Sequence, residues 1–82
     1  MADLKVELKA EIRGKEKKTS KTGNEYIIVR AEDERGVSNE LCDRNLENFD
    51  FYQRGKQAIF YLHITTGKYT NIAIDDVKIL DD

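Results

Sequence analysis

The chain has 82 residues and a formal net charge of −2, from 14 Lys and Arg against 16 Asp and Glu. This length predicts a single domain over residues 1–82. No apolar run approaches the ~20 residues of a membrane span, and one cysteine, Cys42, excludes an intramolecular disulfide and a cysteine metal cluster. The simplest expectation is a cytoplasmic protein without a cofactor. So small a core also favours self-association.

Charge is distributed unevenly along the chain. Residues 1–30 hold eight Lys and Arg against five Asp and Glu, whereas residues 31–82 hold six against eleven. This asymmetry is compatible with a basic face and a separate acidic face or tail.

The first predicted strand is Leu4–Ile12, where apolar residues alternate strictly with charged ones. Such alternation turns one face to a core and the other to water. Residues 13–24 then read as a polar connection that holds five Lys or Arg and the glycines Gly14 and Gly23.

Two further strands are predicted before the middle of the chain. Glu25–Glu32 is rich in β-branched and aromatic residues, with apolar side chains on both faces, and predicts the second strand. Asp33–Gly36 predicts a tight turn. Val37–Cys42 alternates less clearly and predicts the third strand.

Asp43–Gly55 breaks the alternation and predicts a short helix or 3₁₀ turn that plugs one end of a sheet. Asp43 is the expected cap, and Gly55 is expected to end the turn. The aromatic residues Phe49, Phe51 and Tyr52 are expected to fill the barrel rather than meet a ligand.

Two last strands are predicted at Gln57–Thr65 and within Tyr69–Leu80, which is extended. The apolar positions change parity across Asp75 and Asp76, which predicts a bulge or bend there. The order β-β-β-α-β-β predicts an all-β fold with one short helix. It is the layout of a small five-stranded oligonucleotide/oligosaccharide-binding (OB) barrel, and a small SH3-like barrel is the nearest alternative.

Several segments resemble a known family. LKVELK at the start, TGNEY leading into a strand, QRGKQAIFYLHI and the final NIAIDDVKIL resemble single-stranded-DNA-binding, helix-destabilising proteins of filamentous phages and related mobile elements. The resemblance depends chiefly on Gly23, Tyr26, Gly55 and the final segment. It implies a small OB-type barrel that dimerises and coats single strands cooperatively. It also implies that Tyr26 stacks on a base.

Single strands are bound by cations that follow the phosphates and by rings that stack on bases. The candidate nucleic-acid-binding residues are Arg13, Lys15, Lys17, Lys18, Lys21, Tyr26, Arg30, Arg54, Lys56, Tyr61, Lys68 and Tyr69. Each also has a plainer interpretation. The lysines of residues 13–24, and Arg54 with Lys56, would simply be solvated. Tyr61 would be exposed or lie in a dimer contact, and Tyr69 would pack beside a turn.

Enzymatic chemistry and metal binding have no clear place in the sequence. His63 has no second histidine, and Cys42 is expected to be a buried small apolar residue rather than a nucleophile. Asp75 and Asp76 are expected not to act as a carboxylate pair, because neighbouring strand residues point to opposite faces. No phosphate-binding glycine loop or serine elbow is present.

The leading prediction is a homodimeric, non-enzymatic protein of a phage or mobile element that binds single-stranded DNA in DNA replication, largely independently of sequence. RNA remains an alternative partner, because nothing in the sequence reads a 2′-hydroxyl. The rival prediction is a protein-interaction module, a DNA mimic or an inhibitor, whose acidic segment Glu32–Asp50 docks a basic partner.

Overall fold

The computed structural model describes residues 2–68 and 70–80, with residue 2 described by its backbone alone. These residues form five strands and one 3₁₀ helix. The strands are β1 (Ala2–Thr19), β2 (Glu25–Asp33), β3 (Ser38–Asp43), β4 (Gln57–Thr66) and β5 (Asn71–Leu80), and the 3₁₀ helix (Leu46–Phe51) lies between β3 and β4. No helix in these residues is long and apolar enough to cross a membrane.

The strands form one closed barrel in the order β1-β2-β3-β5-β4. All neighbours are antiparallel except β3 and β5, which run parallel and meet at Cys42 and Ala73. Five strands with a helical segment between the third and fourth are the OB layout, so the predicted fold class is confirmed.

The first strand is much longer than the sequence predicted. Residues 13–19, expected to lie in a loop, continue β1 and pair with β2 as far as Thr19 opposite Glu25. Residues 2–11 pair with β4, and the last two of them, Ala10 and Glu11, also pair with β2. The register with β2 shifts between Ile12 and Gly14. The strand β1 therefore pairs with both β4 and β2, and its pairing with β2 keeps the Lys-rich end extended. The turn that remains is residues 20–24.

The barrel interior is built from the alternating apolar positions of the strands. Its buried members are Ala10, Ile12, Ile27, Val29, Ala31, Leu41, Tyr52, Ala58, Phe60 and Leu62. Of the three aromatic residues expected to fill the barrel, Tyr52 is fully buried and Phe49 packs partly against the core. Phe51 is 42% exposed, so that part of the expectation is wrong. Its ring forms a T-shaped pair with the Tyr52 ring, with 6.1 Å between the ring centres.

A buried carboxylate fastens the 3₁₀ helix to the barrel. Asp43 is 3% exposed and accepts hydrogen bonds from the Asn45 backbone N–H at 2.9 Å, the Asn48 amide at 2.9 Å and the Tyr52 hydroxyl at 2.5 Å. The helix cap is Asn45, whose side chain accepts from the Glu47 N–H, and not Asp43 as predicted. Asp43 instead orders the turn before the helix and the residue after it.

The bulge predicted in the last strand is present. Asp76 pairs with Tyr61 and Ile74 pairs with Leu62, which leaves Asp75 as an extra residue in β5. A bulge bends the strand and changes where the inserted side chain points.

Candidate functional site

A groove crosses the outer surface of the barrel and consists of two adjoining lobes. The hairpin lobe, about 510 Å³ in volume, is lined by the β1–β2 turn, Glu25, Tyr26, Cys42 and Arg44. The strand lobe, about 740 Å³ in volume, begins at the same Cys42 and Arg44 and continues over β4 and β5. Both volumes lie within the range of about 300–1,000 Å³ for small-ligand pockets. The two lobes share Cys42 and Arg44 as lining residues and therefore adjoin there.

Strand alternation places Tyr26 in the hairpin lobe. Ile27, Val29 and Ala31 of β2 turn inwards and are buried, so Tyr26, Ile28 and Arg30 lie on the outer face. Tyr26 is half-buried there, opposite Lys18 of β1. The structure therefore places the Tyr26 ring at the edge of the groove, next to a lysine.

Arg30 lies on the same outer face, two outward positions beyond Tyr26. Its guanidinium rests against Gly14 of β1, where a Cβ would stand 3.0 Å from Nη2. It forms no ion pair with any residue in 2–68 or 70–80. Glycine at this position therefore leaves room for a cation held flat against the strand.

Lys15 and Lys17 lie on the opposite face of β1, away from Tyr26. The Lys15 Nζ donates to the Phe49 carbonyl at 2.5 Å and stands 4.2 Å from the centre of the Phe49 ring. The Lys17 Nζ stands 4.6 Å from the same ring. Because the segment is a strand and not a loop, its lysines separate onto two faces, and these two fasten the β1–β2 hairpin to the 3₁₀ helix.

Two other predicted cations of the first half have separate positions. The Arg13 guanidinium lies 2.6 Å from Glu11 and 3.4 Å from Glu32, and its hydrogen bond to Glu11 raises the pKa of Arg13. Lys21 is exposed in the β1–β2 turn, next to the hairpin lobe. The structure thus brings Lys21 near the groove and pairs Arg13 with carboxylates.

The remaining candidates are spread over the second half of the chain. Arg54 and Lys56 lie in the turn before β4, where the Lys56 carbonyl accepts from the Ile12 N–H at 2.8 Å. Tyr61 stands on the outer face of β4 between Glu7 and Asp76 and lines neither lobe. Lys68 is exposed in the β4–β5 turn, and Tyr69 lies outside the described residues.

The strand lobe has a polar and acidic wall. His63 Nδ1 lies 2.6 Å from Asp75 Oδ1, and Asp76 lines the same lobe. The expectation that Asp75 and Asp76 face opposite sides is wrong, because the bulge brings both carboxylates to one lobe. No group of three or more His, Cys, Asp or Glu within 2–68 and 70–80 is arranged to hold a metal.

Sequence reasoning missed residues at the centre of the groove. Arg44 lines both lobes, and Cys42, expected to be buried, is only partly so. Burial raises the pKa of the Cys42 thiol, with Arg44 opposing the shift. The sequence feature that could have identified Arg44 is its position, because it directly follows β3, whose end faces the β1–β2 turn in this barrel.

Comparison with solved structures supports the observed fold. No family model matches the chain, and no curated protein matches its sequence significantly. Crystal structures of the mitochondrial single-stranded DNA binding protein Rim1 from S. cerevisiae do match its structure. One has a TM-score of 0.77 at 15% identity, covering 100% of this chain and 99% of that one. Another has a TM-score of 0.78 at 16% identity, covering 100% and 98%.

These matches come from mitochondria, so they give no support to the phage or mobile-element part of the sequence resemblance. At such low identity they establish the fold alone. The chain has the OB barrel found in single-stranded DNA binding proteins.

Proposed function

We propose that the chain binds single-stranded DNA in the groove, with no defined sequence motif. The observation that carries the proposal is the placement of Tyr26 and Arg44 in the hairpin lobe of an OB barrel. A half-buried ring offers a face to a base, and stacking of this kind contributes about 1–3 kcal/mol per base.

Cations with no competing partner supply the phosphate contacts. Lys18, Arg30 and Arg44 lie along the outer surface beside Tyr26 and form no ion pairs within the described residues. Three such contacts predict a salt slope of about −2 on a logarithmic scale, from about −0.7 per neutralised phosphate of a single strand. The fold shared with proteins named for single-stranded DNA binding, over nearly the whole of both chains, supports the same partner.

The test compares groove residues with matched residues elsewhere. Tyr26→Ala should weaken the retardation of oligo-dT in a low-salt mobility-shift assay by about fivefold or more, the lower end of a stacking contribution. Phe51→Ala removes an exposed aromatic ring outside the groove and should leave binding unchanged.

A second matched pair tests the cation. Arg44→Gln should weaken binding, whereas Arg35→Gln should not, because Arg35 lies in the β2–β3 turn paired to Asp33 at 3.0 Å. Equal effects within each pair would refute the groove as the binding site. An RNA oligonucleotide run beside the DNA would show whether the site distinguishes the two sugars.

We also propose that two copies associate through the first half of β1. Residues 2–9 pair only with β4 in the described part of the chain, so their other edge has no strand beside it. Leu4 is 54% exposed and Val6 is 39% exposed on this segment. An unpaired edge with exposed apolar side chains favours strand addition by a second copy.

The rival function, docking of a basic partner on Glu32–Asp50, gains no specific support. Arg35 neutralises Asp33, whose pKa the Arg35 hydrogen bond lowers, and Asp43 is enclosed by its three donors. Arg44 interrupts the segment at the groove. The acidic residues therefore do not form an unbroken face.

A further inference from the structure

We propose that the strand lobe receives bases rather than phosphates and favours bases that carry an exocyclic amino group over thymine or uracil. The inference deepens the proposed function and rests on it. It adds a preference in base composition to a site that otherwise tolerates any sequence.

The bulge in β5 creates the recognition surface. Without the extra residue Asp75, successive side chains of β5 would alternate between the barrel interior and the outer face. With it, Asp75 and Asp76 both line the lobe, and 44% of the Asp75 side chain is exposed. One Asp75 oxygen contacts the His63 ring, whereas Oδ2 accepts no hydrogen bond from any residue in 2–68 or 70–80. This oxygen is a free acceptor at the groove wall.

Charge determines which part of a nucleotide fits beside that wall. Arg44, at the border with the hairpin lobe, is the one Lys or Arg among the described residues lining the strand lobe. Asp75 and Asp76 add two negative charges to the lining of the same lobe. A phosphate placed there would meet like charges, which cost several kcal/mol when brought together. The backbone is therefore expected to follow the Tyr26, Arg30 and Arg44 side, with bases directed over β5.

The hydrogen-bonding character of the lobe then selects among bases. Cytosine, adenine and guanine carry amino groups that donate to a carboxylate, whereas thymine offers the O4 acceptor in the corresponding place. Uracil has the same O4 acceptor. An unpaired thymine or uracil does have a donor, N3–H, but it lies between the acceptors O2 and O4, so Asp75 Oδ2 would meet two acceptors on reaching it. An exocyclic amino group projects from the ring edge and donates without that second acceptor. The discrimination follows from the carboxylate and not from the size of the lobe, which at about 740 Å³ admits either pyrimidine.

The cleanest probes are oligo-dC and oligo-dU, because their bases differ only in the amino or oxo group at C4 and the associated N3. Labelled strands of about 12 nucleotides fall within the site sizes of about 4–16 nucleotides per OB fold. Direct titration of the full chain with both should give oligo-dC the lower Kd by about fivefold or more, the lower bound for one good base contact.

Asp75→Asn tests the residue. The amide keeps an oxygen for the His63 ring and adds a donor suited to O4, so the preference for oligo-dC should fall to about one or reverse. Asp50→Asn is the matched control, since it removes the same charge from an exposed position outside both lobes and should leave the preference intact.

Each of the other outcomes would overturn either the base preference alone or the proposed function as well. Equal affinity for oligo-dC and oligo-dU, or tighter oligo-dU, would overturn the base preference while leaving the proposed function standing. An equal loss of preference in Asp75→Asn and Asp50→Asn would also overturn it, by showing a general charge effect. Failure to bind either strand at low salt would refute the proposed function and the inference with it.

Discussion

The buried hydrogen bond between Tyr52 and Asp43 gives a sharp test of how the 3₁₀ helix is held. Tyr52→Phe removes only the hydroxyl that donates to Asp43 Oδ2 at 2.5 Å and keeps the ring, which is fully buried and stacked 6.4 Å from Phe60. The carboxylate, 3% exposed, would keep its bonds from Asn45 and Asn48 and lose the third donor.

The size of the effect follows from the charge of the acceptor. A hydrogen bond to a charged group contributes about 1.5–3 kcal/mol, more than a bond between neutral groups. We expect the free energy of unfolding to fall by about 2 kcal/mol. For a chain of this length, about 4–8 °C per kcal/mol corresponds to a fall in Tm of about 8–16 °C.

Urea unfolding followed by circular dichroism measures the change directly. Tyr61→Phe is the matched control, because the half-buried Tyr61 hydroxyl has no hydrogen bond within the described residues. It should change stability by less than about 0.5 kcal/mol. If Tyr52→Phe lost no more than Tyr61→Phe, the account of Asp43 as the anchor of the helix would be refuted.

Three further predictions concern pH, the hairpin and association. Burial, together with the hydrogen bond to Asp43, raises the pKa of Tyr52 above its usual range. The unfolded chain loses this proton near pH ~10, so the free energy of unfolding should fall as the pH rises above that value. Alkaline unfolding curves should show a less steep fall for Tyr52→Phe. Phe49→Leu removes the ring that Lys15 and Lys17 contact. At about 0.5–1 kcal/mol per exposed cation–π contact, the free energy of unfolding in urea should fall by about 1–2 kcal/mol. An unchanged free energy of unfolding would mean that the two lysines do not hold the helix. The proposed association through β1 predicts the mass of a dimer for the wild type and of a monomer for Val6→Lys in sedimentation equilibrium, and an unchanged mass would contradict it.

The fold was predictable because most strands show their pattern locally. Alternation of apolar and polar residues at Leu4–Ile12 and Gln57–Thr65 is a local signal. The change from even to odd apolar positions across Asp75 and Asp76 predicted the bulge. The end of β1 was not predictable in this way. Residues 13–19 carry charge on both faces, and they are extended because β2 pairs with them. Tertiary pairing overrode a composition typical of a loop.

The candidate site was predictable only in part for the same reason. Alternation along β2 predicts that Tyr26 and Arg30 share one face, whereas Lys18 joins them only because the end of β1 pairs with β2. Treating residues 13–24 as a loop concealed that Lys15 and Lys17 point the other way. The acidic wall depends on a bulge that places two successive residues in one lobe, and Arg44 becomes central only when β3 is placed beside β5.

The central claim is tested most directly by fluorescence-anisotropy titration of labelled single- and double-stranded oligonucleotides across a salt series. The account predicts tighter binding of the single strand, with a logarithmic salt slope of about −2 for the wild type and a slope shallower by about 0.7 for Arg44→Gln. Equal affinity for both forms, or no anisotropy change for the single strand at low salt, would contradict the groove as a single-strand binding site.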